Sequence, residues 1–106
     1  MKLKVDIETV AKHVCDEFGI TVNELQGKSR EQKFVLAREI FATFCKLFGD
    51  VGCVKISKYL NRHYTSIVNS LSKYGDDYSQ NKIFRQKADK IANDIVRNEA
   101  QKHSID

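Results

Sequence analysis

The chain has 106 residues, enough for one domain with one modest core, and it carries 18 Lys/Arg against 14 Asp/Glu, a net charge of +4. It has no proline and three cysteines. No apolar run is long enough to cross a bilayer and no signal peptide is visible; the odd number of cysteines, each in or beside a helical pattern, suits a reducing cytoplasm with thiols serving as small apolar residues.

Strand-like alternation is nowhere sustained and the glycines fall mostly at the ends of periodic runs, so the pattern predicts an all-α fold, a compact bundle of about six helices in a single domain over residues 1–106. Asp6 is placed to cap a first helix. Ile7, Val10, Ala11, Val14 and Phe18 line its inner face, and Gly19 stops it. His13 and Cys15 are two apart, so they point to different faces and make a poor metal pair; no metal or cofactor is expected. Thr21 and Glu24 form a capping box for a short helix anchored by Leu25 and ended by Gly27.

Lys28-Ser29-Arg30 is a basic link into the longest helix, with Ser29 and Gln32 read as a second capping box. Phe34, Ala37, Phe41, Phe44, Cys45 and Phe48, widened by Ile40 and Leu47, make this helix the central strut of the core. Arg38 and Lys46, eight residues apart, lie on one side of the strut as solvated charges or as a phosphate clamp with Lys28 and Arg30. Gly49, Asp50 and Gly52 form a loop.

Two short helical patterns then flank a break at Asn61-Arg62-His63. Ile56 and Leu60 share a face in the first; Ile67, Leu71 and Tyr74 share one in the second. Such a pair packs through those residues and leaves a polar face free, here Arg62, Thr65, Ser66, Asn69 and Lys73. No Asp or Glu occurs between Lys55 and Tyr74, and residues 28–74 carry 9 Lys/Arg against 3 Asp/Glu, a net +6. The flanking segments net −2 and zero, so the whole excess of positive charge lies with this hairpin. That concentration beside a groove-sized helix predicts contact with DNA phosphates. Gly75-Asp76-Asp77 reads as the end of the recognition helix, placing it at about 64–74. A last helix starts at Ser79 or Asn81 with Phe84, Ala88, Ile91 and Ile95 as its stripe, and a polar tail frays from about Asn98.

The order of these elements, from about Val5 to Val96, resembles the C-terminal DNA-binding domain of the bacterial replication initiator DnaA, which is related to the Trp-repressor helix-turn-helix. Four stretches carry the resemblance: Phe18 to Leu25, the basic link Lys28 to Arg30, the Ala37-Arg38 pair, and Arg62-His63-Tyr64-Thr65-Ser66-Ile67, where the family usually has Arg-Asp-His-(Ser/Thr)-Thr-Val. It implies sequence-specific binding of double-stranded DNA in replication initiation or its regulation. Arg30 is implied in the minor groove with Lys28 before it. Arg38, Lys46, Arg62 and Ser66 are implied on the backbone, Thr65 on a base, and Asn69 facing the groove. The family's Asp-His pair, which reads base edges, is His63-Tyr64 here, and the turn is one residue shorter, with Asn61 where two glycines are frequent. The fold and phosphate grip are therefore expected to carry over and the initiator's own DNA box is not.

A Gly-rich P-loop occurs nowhere, so no nucleotide partner is expected, and the chain reads as an excised domain or a small relative such as a phage or mobile-element protein. Cys53 and His63 flank the hairpin without a supporting motif, so no enzyme is expected. The alternative reading is a protein-interaction module or small dimeric repressor that binds an initiator or another protein partner.

Overall fold

The computed structural model describes residues 4–104, with side chains described through Glu99. It is all-helical: α1 (Ile7–Phe18), α2 (Val22–Leu25), α3 (Gln32–Gly49), α4 (Cys53–Leu60), α5 (Tyr64–Gln80) and α6 (Lys82–Ser104). Among the described residues no helix is long and apolar enough to cross a membrane.

The bundle is organised around α3. Every residue from Leu36 to Cys45 is buried, and α3 touches each of the other five helices. A helix enclosed on all sides is apolar nearly all round rather than along one stripe, which is why this segment holds four of the six phenylalanines. Leu47 departs from the expectation and is 62% exposed. In the last turn Cys45 and Phe48 face the core, and Leu47 lies about 100° from Phe48 around the axis, outside it.

Local signals hold α1 and α2 as the residue pattern predicts. Gly19 ends α1 in the left-handed region at φ 65°, where a side chain would be strained. Asp6 occupies the N-cap position, but its carboxylate accepts the Thr9 hydroxyl at 2.6 Å and no backbone N–H. At α2 the capping box is complete: Glu24 N–H donates to Thr21 Oγ1 at 3.1 Å and Thr21 N–H to Glu24 Oε1 at 2.9 Å. The second box, Ser29 with Gln32, does not form. Helix α3 starts later, behind Glu31, and the Ser29 hydroxyl accepts the Glu31 N–H at 3.3 Å.

The end of the chain differs most from expectation. Gly75-Asp76-Asp77 does not break the helix; α5 continues to Gln80. Tyr74 packs against Phe44, Phe84 and Tyr78 at ring distances of 6.0, 5.4 and 5.9 Å, so α5, α3 and α6 share an aromatic cluster. Burying those rings outweighs the roughly 1 kcal/mol helix cost of one glycine. Asn81 then closes α5 and opens α6, its side-chain oxygen accepting the Phe84 N–H at 3.0 Å. Phe84, Ala88, Ile91 and Ile95 are buried as the stripe requires, and α6 continues past Asn98 to Ser104.

Candidate nucleic-acid interface

The corner between α4 and α5 is built by two capping residues. Asn61 ends α4 in the left-handed region at φ 54°, a conformation asparagine tolerates better than most non-glycine residues, and the Arg62 N–H returns to Ser57 O at 2.9 Å. A single left-handed residue does the work of a glycine pair. His63 then caps α5: its Nδ1 accepts the Thr65 N–H at 3.2 Å. That bond requires Nδ1 to be unprotonated, so the imidazole proton sits on Nε2. Ile56, Leu60 and Ile67 close the inner side of the corner at no more than 1% exposure.

This leaves His63, Tyr64, Thr65, Ser66, Asn69 and Lys73 exposed on the outside of α5. The surface offers hydroxyls, an amide, a phenol, an imidazole and a cation, and no carboxylate until Asp76. Lys28 and Arg30 are exposed on the link between α2 and α3, and Lys46 on the last turn of α3.

Arg38 corrects the reading of it as a solvent-facing charge. It is 5% exposed, and four of its five N–H donors are committed to main-chain carbonyls. Its Nε donates to Leu25 O at 2.8 Å, Nη1 to Ser29 O at 2.6 Å, and Nη2 to Gly27 O at 2.8 Å and Glu24 O at 3.1 Å. The guanidinium thus satisfies the open carbonyls at the end of α2 and pins the basic link to α3. Arg62 joins it, Nη2 donating to the same Gly27 O at 3.0 Å, and Gln26 Nε2 donates to Tyr59 O at 2.8 Å. Through these bonds the link carrying Lys28 and Arg30 is tied to the start of α5, although the two lie over thirty residues apart in sequence.

Arg38 and Arg62, with Val35, Ser66 and Ser70, line a cleft of about 90 Å³ between α3 and α5. Among the described residues neither arginine has a carboxylate partner, and Arg62 Nε is buried without an acceptor. Burial, and then the neighbouring Arg62, lower the Arg38 pKa, which still leaves an arginine charged. Two cations sharing one carbonyl favour an anion beside them. The residues therefore fall into groups. Lys28, Arg30, Arg38, Arg62 and Ser66 gather around the cleft and link; His63, Tyr64, Thr65 and Asn69 run along the first turns of α5. Lys46 stands apart, about 12 Å along α3 from Arg38. Ser70 and the Gly27 carbonyl were not singled out by sequence. Ser70 follows Ser66 by four residues, a signal that was there; the carbonyl has none, being main chain.

No group of three His, Cys, Asp or Glu side chains able to hold a metal occurs among the described residues. His13 lies instead beside Asn98, Nε2 to Nδ2 at 3.3 Å.

Comparison with known proteins bears on the same stretch. The family model described as bacterial dnaA protein helix-turn-helix matches residues 7–73, from the start of α1 to Lys73 on α5. The chain is 33% identical over 87 residues to the chromosomal replication initiator protein DnaA of Corynebacterium jeikeium, covering 76% of this chain and 15% of that protein. It is 25% identical over 96 residues to that of Borreliella burgdorferi, covering 90% and 20%, and 26% identical over 93 residues to that of Spiroplasma citri, covering 87% and 21%. The chain thus spans about a fifth or less of the length of these relatives.

Proposed function

The chain belongs to the bacterial DnaA helix-turn-helix family, and from that premise we propose that it binds double-stranded DNA sequence-specifically, in the cytoplasm, in the initiation of replication or its control. Helix α5 lies in the major groove with His63, Tyr64, Thr65 and Asn69 towards the base edges. The link carries Arg30 towards the adjacent minor groove with Lys28 beside it. A backbone phosphate sits at the cleft of Arg38, Arg62 and Ser66, and Lys46 meets a second phosphate further along α3.

The observation that carries this reading is the shared anchorage of link and recognition helix. Arg38 and Arg62 both donate to Gly27 O, which holds Lys28 and Arg30 at a set position relative to the carboxylate-free face of α5. One rigid unit therefore presents cations and hydrogen-bonding groups together, as a duplex with a backbone and two grooves requires.

The test is the salt dependence of binding to duplex DNA. With about 4–6 phosphates neutralised, the slope of log K against log salt is about −4 to −5. Arg30→Ala is expected to lose preference for A·T-rich flanks, where the narrow minor groove has the deepest negative potential. A slope near zero would overturn the reading.

A further inference from the structure

Resting on the reading of α5 as a major-groove helix, we infer that Val68 is a specificity-determining residue, forming with Tyr64 an apolar edge that reads thymine methyl groups. Among the described residues few large hydrophobic side chains are exposed, and two of them, Tyr64 at 50% and Val68 at 37%, fall within the first turns of α5. They are four residues apart and so stand on the same side of the helix. Ile67, between them in sequence, points into the core.

The exposed face of α5 consequently has two unlike edges. Successive residues are turned by about 100°, so Ser66 and Val68 lie on opposite sides of the inward-facing Ile67. The Ser66 edge, with Ser70, borders the arginine cleft. The other edge is Tyr64 and Val68, and Thr65 and Asn69 lie between the two. The hydroxyl edge suits phosphate. The apolar edge suits neither water nor phosphate, yet Tyr64 and Val68 stay partly exposed along it.

The major groove offers one apolar mark, the thymine C5-methyl group. Valine matches it well. Its χ1 is nearly fixed in a helix, so its methyl groups are held in place before binding and little rotamer freedom is lost on contact. Four residues along a helix rise about 6 Å, close to two base steps of about 3.4 Å. The edge therefore selects two thymines about two steps apart, one under Tyr64 and one under Val68, while Thr65 and Asn69 address polar edges between them.

The experiment uses the full chain. A preferred site is first selected from random duplex DNA. Each thymine of the site is then replaced singly by deoxyuridine, which removes only the methyl group, and affinity is measured at fixed salt for the wild type, Val68→Ala and Val68→Ser. Two replacements about two steps apart are expected to weaken the wild type about three- to tenfold each, and both variants are expected to be insensitive to the one of them that lies under Val68. Val68 is outside the core and alanine is a better helix former, so the fold is retained. The inference is overturned if no deoxyuridine affects the wild type, or if the variants keep its full sensitivity, while steeply salt-dependent binding persists. Loss of salt-dependent binding in the wild type would instead overturn the DNA-binding reading beneath it.

Discussion

Replacing Arg38 by alanine is expected to destabilise the fold heavily, although the residue looks like a surface charge in the sequence. A hydrogen bond to a charged donor contributes about 1.5–3 kcal/mol where water cannot replace it. Of the four carbonyls Arg38 serves, only the bond to Leu25 O is fully buried; those to Glu24, Gly27 and Ser29 are partly exposed and can rehydrate. The buried bond is assigned about 2 kcal/mol, and the three others together with the lost packing of the side-chain stem add about 1–2. A total near 3–4 kcal/mol corresponds to a fall in Tm of about 15 °C for a chain of this length. Arg38→Lys should recover less than half, because an ammonium cannot span four carbonyls spread over six residues. The assay is denaturant unfolding of wild type, Arg38→Ala and Arg38→Lys, comparing midpoints at unchanged slope. The link would also lose its anchor, so the Arg30-dependent flank preference should disappear with Arg38. A destabilisation below about 1 kcal/mol would refute the reasoning and return Arg38 to the role of a solvated cation.

Two further predictions concern α3 and α5. Glu39 is 3% exposed, and burial, then the adjacent Asp77 carboxyl, raise its pKa from 4.5 to about 8, Lys73 only partly opposing them. The folded state therefore holds a proton that the unfolded chain releases above about pH 4.5, so this group costs stability progressively from there to about pH 8, up to about 4–5 kcal/mol. Glu39→Gln, neutral at every pH, should flatten the fall in stability over that window and leave the variant the more stable protein above pH 8; parallel pH curves in thermal melts would contradict it. For the α5 cap, His63→Ala should cost about 1 kcal/mol by removing the acceptor of the Thr65 N–H. His63→Asp should retain the cap and stabilise the helix N-terminus while weakening DNA binding through phosphate repulsion; equal stability of the alanine and aspartate variants would show that the imidazole does not cap.

Helix identities, the α1 and α2 boundaries, the buried stripe of α6 and the helix-turn-helix corner follow from short-range rules of spacing and capping, which act within one or two turns and are written in consecutive residues. Asn61, His63 and the Thr21–Glu24 box belong to this class, as does the clustering of charge in residues 28–74, which needs no fold to be seen. The resemblance of Arg62 to Ile67 to the family's signature was legible for the same reason. Three matters were decided only by tertiary packing. Gly75 stays helical because Tyr74 finds Phe44 and Phe84, partners about thirty and ten residues away, and Tyr78 stacks on Tyr74. Leu47 is left outside because the neighbouring helices cover only the Cys45 and Phe48 side of the last turn. Arg38 is buried because the end of α2 brings its open carbonyls against α3, and an arginine that satisfies main-chain oxygens has the same one-dimensional signature as one that faces solvent. The acceptors are backbone atoms present at every residue, so only the folded chain could say which of them Arg38 would meet.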